Sequence, residues 1–234
     1  TGVLLCSNMH SGTPSYAAAE LTFGLILAAM RQIPQQMASA RAGHWQMGVG
    51  KTLRGRTLGL YGYGRIAGAV ADYARAFGMK VVWWSSEAGR ARARAAGETV
   101  AESRAAFFAE SDVVSIHIRL KPDTRGIVTA ADFAEMQDGA LFVNTSRAGL
   151  VAPGALLDAL NAGRPGMAAV DVFETEPLTD PDDPLLSHPR LICTPHIGFV
   201  TEDEFDLQFS DIFAQVNAFA EGRPIHMINP EVRI

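Results

Sequence analysis

Three short segments of this sequence each carry one side chain that can bind an anion or move a proton. Arg147 ends an Asn-Thr-Ser-Arg segment, Glu176 precedes a proline, and His196 follows one. The planar guanidinium of an arginine matches a carboxylate and binds it through two parallel hydrogen bonds. An imidazole gives or takes a proton near neutral pH, and a neighbouring carboxylate orients the ring. Together the three residue types suit proton transfer on a small substrate that carries a carboxylate.

A glycine-rich segment at 58–67 has the pattern of a strand, a tight turn and the start of a helix. Gly62 can adopt a turn conformation that other residues resist. Gly64 has no side chain, so a pyrophosphate can approach the backbone there. The amides near Arg65 and Ile66 lie at a helix N-terminus, where anions are favoured. The segment therefore predicts a dinucleotide site.

The identity of the dinucleotide depends on the residues that follow the second strand of this unit. An acidic residue about 20 positions after the glycines would bind the ribose hydroxyls of NAD. Ser85 holds that position, and Glu87 could reach the ribose instead. Alternatively, Ser85, Ser86 and Arg90 could accept the 2′-phosphate of NADP. The sequence slightly favours NAD and leaves NADP open.

These segments need a scaffold that brings them together. From residue 58 onward, short apolar runs alternate with helical patterns, which is typical of a parallel sheet covered on both faces. Right-handed crossovers then give an α/β, doubly wound, Rossmann-type fold whose ligands bind at the carboxyl ends of the strands. Strands are expected at 58–61, 80–84, 113–117, 141–144, 167–172 and 191–194, with helices near 65–77, 90–96, 103–110, 131–136 and 153–162.

The two ends of the chain lie outside this alternation. The N-terminal part predicts a short strand and a long helix that Pro34 kinks or ends. The C-terminal part predicts one helix, because its phenylalanines recur at helical spacing. The expected bounds are a strand at 3–6, helices at 15–33 and up to Arg41, and a last helix at 201–220; Thr13 and Pro14 are expected to start the first helix, and Gly43 to stop the second.

In this order, the glycine segment and the three chemical segments resemble the D-isomer-specific 2-hydroxyacid dehydrogenases, from about Gly12 to Pro230. The resemblance implies that Arg147 binds the substrate carboxylate and that His196 exchanges a proton with the substrate oxygen as hydride moves. It implies that Glu176, rather than the nearby Glu174, orients the imidazole, and that Asp171 accepts a hydrogen bond from the nicotinamide carboxamide.

The resemblance also implies which residues line the cofactor. The segment after the third strand departs from the family pattern, since Arg119 stands where proline is common and Lys121 where threonine is common. Arg119 then either contacts phosphate or ribose, or points to solvent. The expected cofactor-binding residues are Gly62, Gly64, Arg65, Ile66, Ser85, Ile118, Arg119, Thr124, Thr145, Ser146, Arg147, Asp171, His196 and Gly198.

The chain begins at Thr1 and, set against the family, is expected to lack most of a second, substrate domain. Residues 1–12 are then a remnant of that domain, 13–200 the dinucleotide-binding domain, and 201–234 a helix and tail that return to the substrate domain. Alone, the chain is expected to bind cofactor and turn over poorly. The helix at 15–33 and its arm to residue 45 are expected to pair two subunits into a symmetric homodimer.

Composition restricts the other partners. The net charge of −5 suggests no polyanionic partner, so no nucleic acid is expected. The apolar run Leu21–Met30 is too short to span a bilayer, which predicts no membrane insertion. Cys6 and Cys193 stand far apart and in no ligand spacing, which predicts no metal site and a reducing, cytoplasmic location.

Two other functions remain open on the sequence. The first is a non-enzymatic module that senses NAD(H), like the corepressors that share this fold, although intact Arg147, Glu176 and His196 favour an enzyme. The second is a formate dehydrogenase relative, which the carboxylate of Glu176 disfavours because glutamine stands there in those enzymes. The substrate expected for the main reading is a small 2-keto or 2-hydroxy acid.

Overall fold

Six parallel strands form one sheet, in the order β2-β1-β3-β4-β5-β6. The structure is a computed structural model, and it describes residues 2–8 and 16–232. The doubly wound parallel sheet predicted from the sequence is confirmed, and the predicted strand bounds differ from the observed ones by at most two residues. The strands are β1 Thr57–Tyr61, β2 Lys80–Trp84, β3 Val113–Ile116, β4 Leu141–Asn144, β5 Met167–Val170 and β6 Leu191–Cys193.

Helices cover both faces of the sheet, and alternate residues of each strand enter two separate cores. In β4, for example, Leu141 and Val143 face one core and Phe142 faces the other. Burial on both faces explains why the strands are apolar without a polar alternation. The helices are α1 Tyr16–Met30, α2 Ile33–Arg41, α3 Arg65–Ala76, α4 Glu87–Ala95, α5 Arg104–Glu110, α6 Ala130–Glu135, α7 Ala155–Ala162 and α8 Glu202–Ala220.

The break between the first two helices lies where the sequence predicted it. Helix α1 ends at Met30, Gln32 takes a left-handed conformation with φ of 53°, and Pro34 lies in the first turn of α2. Gly43, with φ of 81°, follows the end of α2 as expected of a helix stop. The predicted helix start at Thr13 and Pro14 lies outside the described residues.

Two expectations about the N-terminal part are corrected. Residues 3–6 do not form a strand of the sheet; Cys6 makes a single antiparallel bridge with Met227, which follows the last helix. The apolar surface of α1 does not project outward, because Ala19, Ile26 and Ala29 are fully buried against the chain's own sheet and α3. The exposed apolar residues lie farther along, in α2 and at 45–49. Within the described residues, no helix is long and apolar enough to cross a membrane.

Candidate functional site

A cleft of about 890 Å³ lies along the carboxyl ends of the strands, the edge at which open α/β sheets bind ligands. Its size falls in the range of small-molecule sites. The glycine turn, the loop after β3 and the three chemical segments all reach it. Its lining comprises Ala18, Tyr63, Gly64, Arg65, Ile66, Ala67, Arg92, His117, Ile118, Arg119, Leu120, Thr145, Ser146, Arg147, Asp171, His196, Gly198 and Phe199.

The turn after β1 has the backbone that a phosphate-binding loop requires. Gly62 has φ of 122°, and a Cβ there would stand 2.3 Å from the carbonyl oxygen of His117, so only glycine fits. Gly64 precedes α3, and the space where its Cβ would stand is open. Ala67 is fully buried in the packing of α3 against the sheet. The cradle therefore fits a pyrophosphate, with the amides at the start of α3 turned toward the cleft.

A buried asparagine shapes the loop that carries Arg147. Asn144, at the end of β4, accepts a hydrogen bond from the Ser146 amide at 3.0 Å and donates one to the Arg147 carbonyl oxygen at 3.0 Å. The Ser146 hydroxyl donates to the carbonyl oxygen of Ile118 at 2.8 Å, which ties this loop to the one after β3. The backbone of the arginine is thus fixed, while its guanidinium is exposed at the cleft.

Helix α1 supports the same loop from behind. The hydroxyls of Thr22 and Thr145 lie 2.6 Å apart, and Thr22 is fully buried. Thr22 donates its one hydroxyl proton to the Ala18 carbonyl oxygen at 2.7 Å, so Thr145 must be the donor to Thr22. The hydroxyl oxygen of Thr145 therefore presents only acceptor positions to the cleft.

The loop that carries His196 is held by Asp171, which follows β5 and is fully buried. One carboxylate oxygen accepts hydrogen bonds from the Ile197 amide at 2.9 Å and the Thr194 hydroxyl at 2.6 Å. The other accepts from the Gly198 amide at 2.9 Å. Three donors on one short loop converge on one side chain, so Asp171 fixes where the loop runs.

The imidazole of His196 and the carboxylate of Glu176 form a hydrogen bond, with 2.6 Å between Nδ1 and Oε2. The other carboxylate oxygen of Glu176 accepts from the Phe173 amide at 2.9 Å, and Phe199 meets the imidazole edge-on. His196 has φ of 55°, a conformation that costs energy for a residue with a side chain and that clusters at functional sites.

The electrostatic surroundings keep the Glu176 carboxylate charged. Burial acts to raise the pKa of Glu176, but the Phe173 amide, the His196 hydrogen bond and charge, and the positive charge of Arg147 outweigh it and lower the pKa. The influence of Arg147 on Glu176, and the presence of Arg147 and His196 in one cleft, show that the three chemical residues converge.

Most of the residues predicted from the sequence line this cleft, and three predicted cofactor residues do not. Gly62 is part of the turn but is not among the lining residues. The Ser85 side chain packs against Gly89 of α4, and the Thr124 hydroxyl bonds to the backbone of its own loop at Arg119 and Lys121. Glu176 lies outside the lining and acts on it through His196. Arg119 is exposed and lines the cleft, and its contact with phosphate or ribose stays a prediction.

Sequence reasoning missed several residues of the site. Tyr63 could have been found, because it stands between the two glycines of the turn. His117 and Phe199 stand in segments that resemble the family, but no role was expected of them, and Arg92, in the last turn of α4, carried no pattern of its own. Thr22 is inside an apolar helix, where a threonine usually has no functional meaning.

The fold and site together define a Rossmann-type domain that binds a nicotinamide dinucleotide, and comparison with known proteins shows its family. The chain belongs to the D-isomer specific 2-hydroxyacid dehydrogenases, since residues 23–198 match the model of their NAD binding domain. It is 37% identical to a glyoxylate reductase of Aeropyrum pernix over 94% of this chain and 68% of that protein. It is 35% identical to a D-3-phosphoglycerate dehydrogenase of Bacillus subtilis over 96% of this chain and 42% of that one.

Among solved structures, a phosphoglycerate oxidoreductase from Vibrio cholerae matches with a TM-score of 0.84 and 45% identity, over 89% of this chain and 67% of that chain. This chain therefore spans about two thirds of some relatives and less than half of others.

His117 gives the site a pH dependence that can be measured on stability. Burial lowers the pKa of His117 from 6.5 to about 4. Between these values the unfolded chain binds a proton that the folded chain does not, so the free energy of unfolding falls as the pH drops. Because the ring is partly exposed at the cleft, we expect this residue to account for a loss on the order of 2 kcal/mol.

Urea unfolding at a series of pH values from neutral to mildly acidic measures this loss. His117→Gln should flatten the decline, because the glutamine amide does not take up a proton in this pH range. Glutamine is chosen because it can keep a hydrogen bond to the Ser115 hydroxyl, which lies 2.9 Å from the imidazole Nε2. His44→Gln replaces an exposed histidine and should leave the decline as it is. A decline of the same size in the two variants would show that His117 does not cause it.

Proposed function

We propose that this chain is the cofactor-binding and catalytic part of an NAD(P)-dependent oxidoreductase that interconverts a small 2-keto acid and a D-2-hydroxy acid. The observation that carries the proposal is the His196–Glu176 hydrogen bond of 2.6 Å beside Arg147, at the cleft that contains the glycine turn. The names of the relatives, glyoxylate reductase and D-3-phosphoglycerate dehydrogenase among them, agree with a substrate of this class.

In the direction of reduction, Arg147 binds the carboxylate of the keto acid through its guanidinium and orients the adjacent carbonyl group. Glu176 accepts a hydrogen bond from Nδ1 of His196 and orients the ring. The proton given to the carbonyl oxygen is therefore the one on Nε2. When bound, the nicotinamide ring of the cofactor supplies the hydride. In the direction of oxidation, the same imidazole takes the hydroxyl proton.

Asp171 and Thr145, which line the cleft near the chemical residues, suit the carboxamide of nicotinamide. A carboxylate offers about four acceptor positions, and three donors of the described chain reach Asp171, so one position is left. The Thr145 hydroxyl also presents acceptor positions. A carboxamide carries two N–H donors, and we infer that Asp171 and Thr145 receive them and fix which face of the nicotinamide meets the substrate.

Substitution of the chemical residues tests the proposed reaction. His196→Asn should lower kcat for a 2-keto acid by about 10²- to 10⁴-fold, because no proton donor remains, and should leave the Kd of the cofactor within about twofold. Glu176→Gln should lower kcat by about 10- to 100-fold, because the imidazole loses the charged acceptor that orients it.

Glu174→Gln is the matched control, since Glu174 is exposed and lies outside the cleft two residues before Glu176. Its turnover should equal that of the wild type. If His196→Asn kept its turnover, the role of His196 as proton donor would be wrong. A wild type that binds the cofactor but turns over no 2-keto acid would overturn the enzyme proposal in favour of a sensing role like that of the corepressors.

We also propose that the chain forms a two-fold homodimer through α2 and residues 45–49. No residue of α2 is buried, and the side chains of Trp45 and Val49 are 84% and 89% exposed. Exposed apolar residues grouped on one projecting segment mark a surface for association, and a second copy of the chain satisfies two-fold symmetry.

Sedimentation velocity tests the dimer. The wild type should sediment with the mass of two chains at micromolar concentration, and Trp45→Glu should sediment as one chain, because a charge would be buried in the interface. Phe77→Glu is the control, since Phe77 is exposed on the far end of α3. A wild type that sediments as a monomer would exclude the proposal.

A further inference from the structure

The strand order distinguishes the two ends of the cleft, the end with the chemical residues and the end on the other side of the glycine turn. Arg147, Asp171 and His196 follow β4, β5 and β6, so the nicotinamide belongs on that side of the glycine turn. The adenosine half of the cofactor then lies on the other side, over β1 and β2. The residues that meet the adenosine ribose come from the end of β2 and from α4.

The position at the end of β2 that usually binds the ribose hydroxyls carries no carboxylate. Ser85 holds that position, and its hydroxyl packs on Gly89. Glu87 is paired with the guanidinium of Arg90. A Rossmann domain that prefers NAD uses a carboxylate here, which binds the 2′-hydroxyl and repels a 2′-phosphate. This chain lacks that repulsion.

Arg90 is not the group that would replace the carboxylate. Its guanidinium stacks on the Trp84 ring at 4.3 Å, donates to the Ser85 carbonyl oxygen at 2.7 Å and pairs with Glu87. Its charge is therefore paired with that of Glu87, and the guanidinium is held against Trp84 and the Ser85 carbonyl.

Arg92 has the geometry that Arg90 lacks. It extends from α4 into the cleft and donates to the Tyr63 carbonyl oxygen at 3.1 Å, so it reaches the middle of the glycine turn. Its guanidinium also lies 5.5 Å from the Tyr63 ring, which limits its orientations. The bond to Tyr63 uses one of the five N–H donors of an arginine. The remaining donors are in position for an anion on the adenosine side.

The described lining of the cleft is positively charged, as the binding of a dinucleotide requires. Arg65, Arg92, Arg119 and Arg147 line it, and Asp171 is the one carboxylate in the described lining. The diphosphate of a dinucleotide and the substrate carboxylate together carry about three negative charges. The positive lining therefore matches the negative charge of a dinucleotide and a keto acid.

We propose that the cleft prefers the cofactor with a 2′-phosphate, NADP(H), over NAD(H), and that Arg92 contacts this phosphate. This inference rests on the proposed function, because it assumes that the chain uses a nicotinamide dinucleotide. Arg92, on α4, then determines the choice between the two cofactors, although it lies outside the usual position after β2.

Isothermal titration without substrate tests the proposal independently of catalysis. The wild type should bind NADPH at least about tenfold more tightly than NADH, since a phosphate adds charge-assisted hydrogen bonds. Arg92→Gln should weaken NADPH about tenfold or more and change NADH less than about twofold. Arg94→Gln removes the same charge from an exposed position of the same helix outside the cleft, and should change neither.

The adenosine end can be examined alone with 2′,5′-ADP and 5′-AMP. The wild type should bind 2′,5′-ADP more tightly than 5′-AMP, and Arg92→Gln should remove that difference.

Equal or tighter binding of NADH by the wild type would overturn the preference for NADP(H). An equal loss for both cofactors in Arg92→Gln would place Arg92 on the diphosphate and overturn its role. A loss of turnover in His196→Asn concerns only the chemistry and leaves these titrations unaffected.

Discussion

The chemistry of this chain depends on one buried carboxylate. Asp171 accepts hydrogen bonds from Thr194, Ile197 and Gly198, the residues on both sides of His196. His196 takes a left-handed backbone conformation that a side chain disfavours, and such a conformation persists only where its surroundings impose it. The three hydrogen bonds provide that constraint. Once the loop is fixed, the imidazole meets Glu176, and the opposite ring nitrogen is left for the substrate.

The parallel sheet explains why this constraint and its partners occur together. The ends of β4, β5 and β6 are neighbours, so the loops with Arg147, Asp171 and His196 emerge side by side. Each loop is then braced by a polar side chain at or near its strand: Asn144 holds the arginine loop, and Asp171 holds the histidine loop. Helix α1 adds the Thr22–Thr145 bond from the opposite side. The loops that carry Arg147 and His196 are thus positioned by hydrogen bonds to their main chain.

The sequence was sufficient to predict the sheet, because strands buried on both faces are apolar runs. It also predicted that the segments with Arg147, Glu176 and His196 lie at the carboxyl ends of the strands, and their catalytic roles stay a proposal. It failed where the structure depends on contacts distant in sequence. The segment at 3–6 has a strand-like composition but meets residues after α8 instead of the sheet. Ser85 stands at the expected ribose position, yet its side chain packs on Gly89. The role of Arg92 is visible only when α4 is packed beside the glycine turn, because no motif marks a single arginine in an alanine- and arginine-rich helix.

The most direct test of the central constraint is kcat of Asp171→Asn beside that of Asp112→Asn. Asp112 also accepts a backbone amide, from Thr57, and pairs with Arg56, but it lies at the opposite edge of the sheet, just before β3. Each asparagine places an N–H group where an acceptor is needed, so both variants should lose about 1–3 kcal/mol of stability. Only Asp171→Asn should lower kcat, by about tenfold or more, because only that variant displaces the imidazole. Equal kcat values in the two variants would contradict the account.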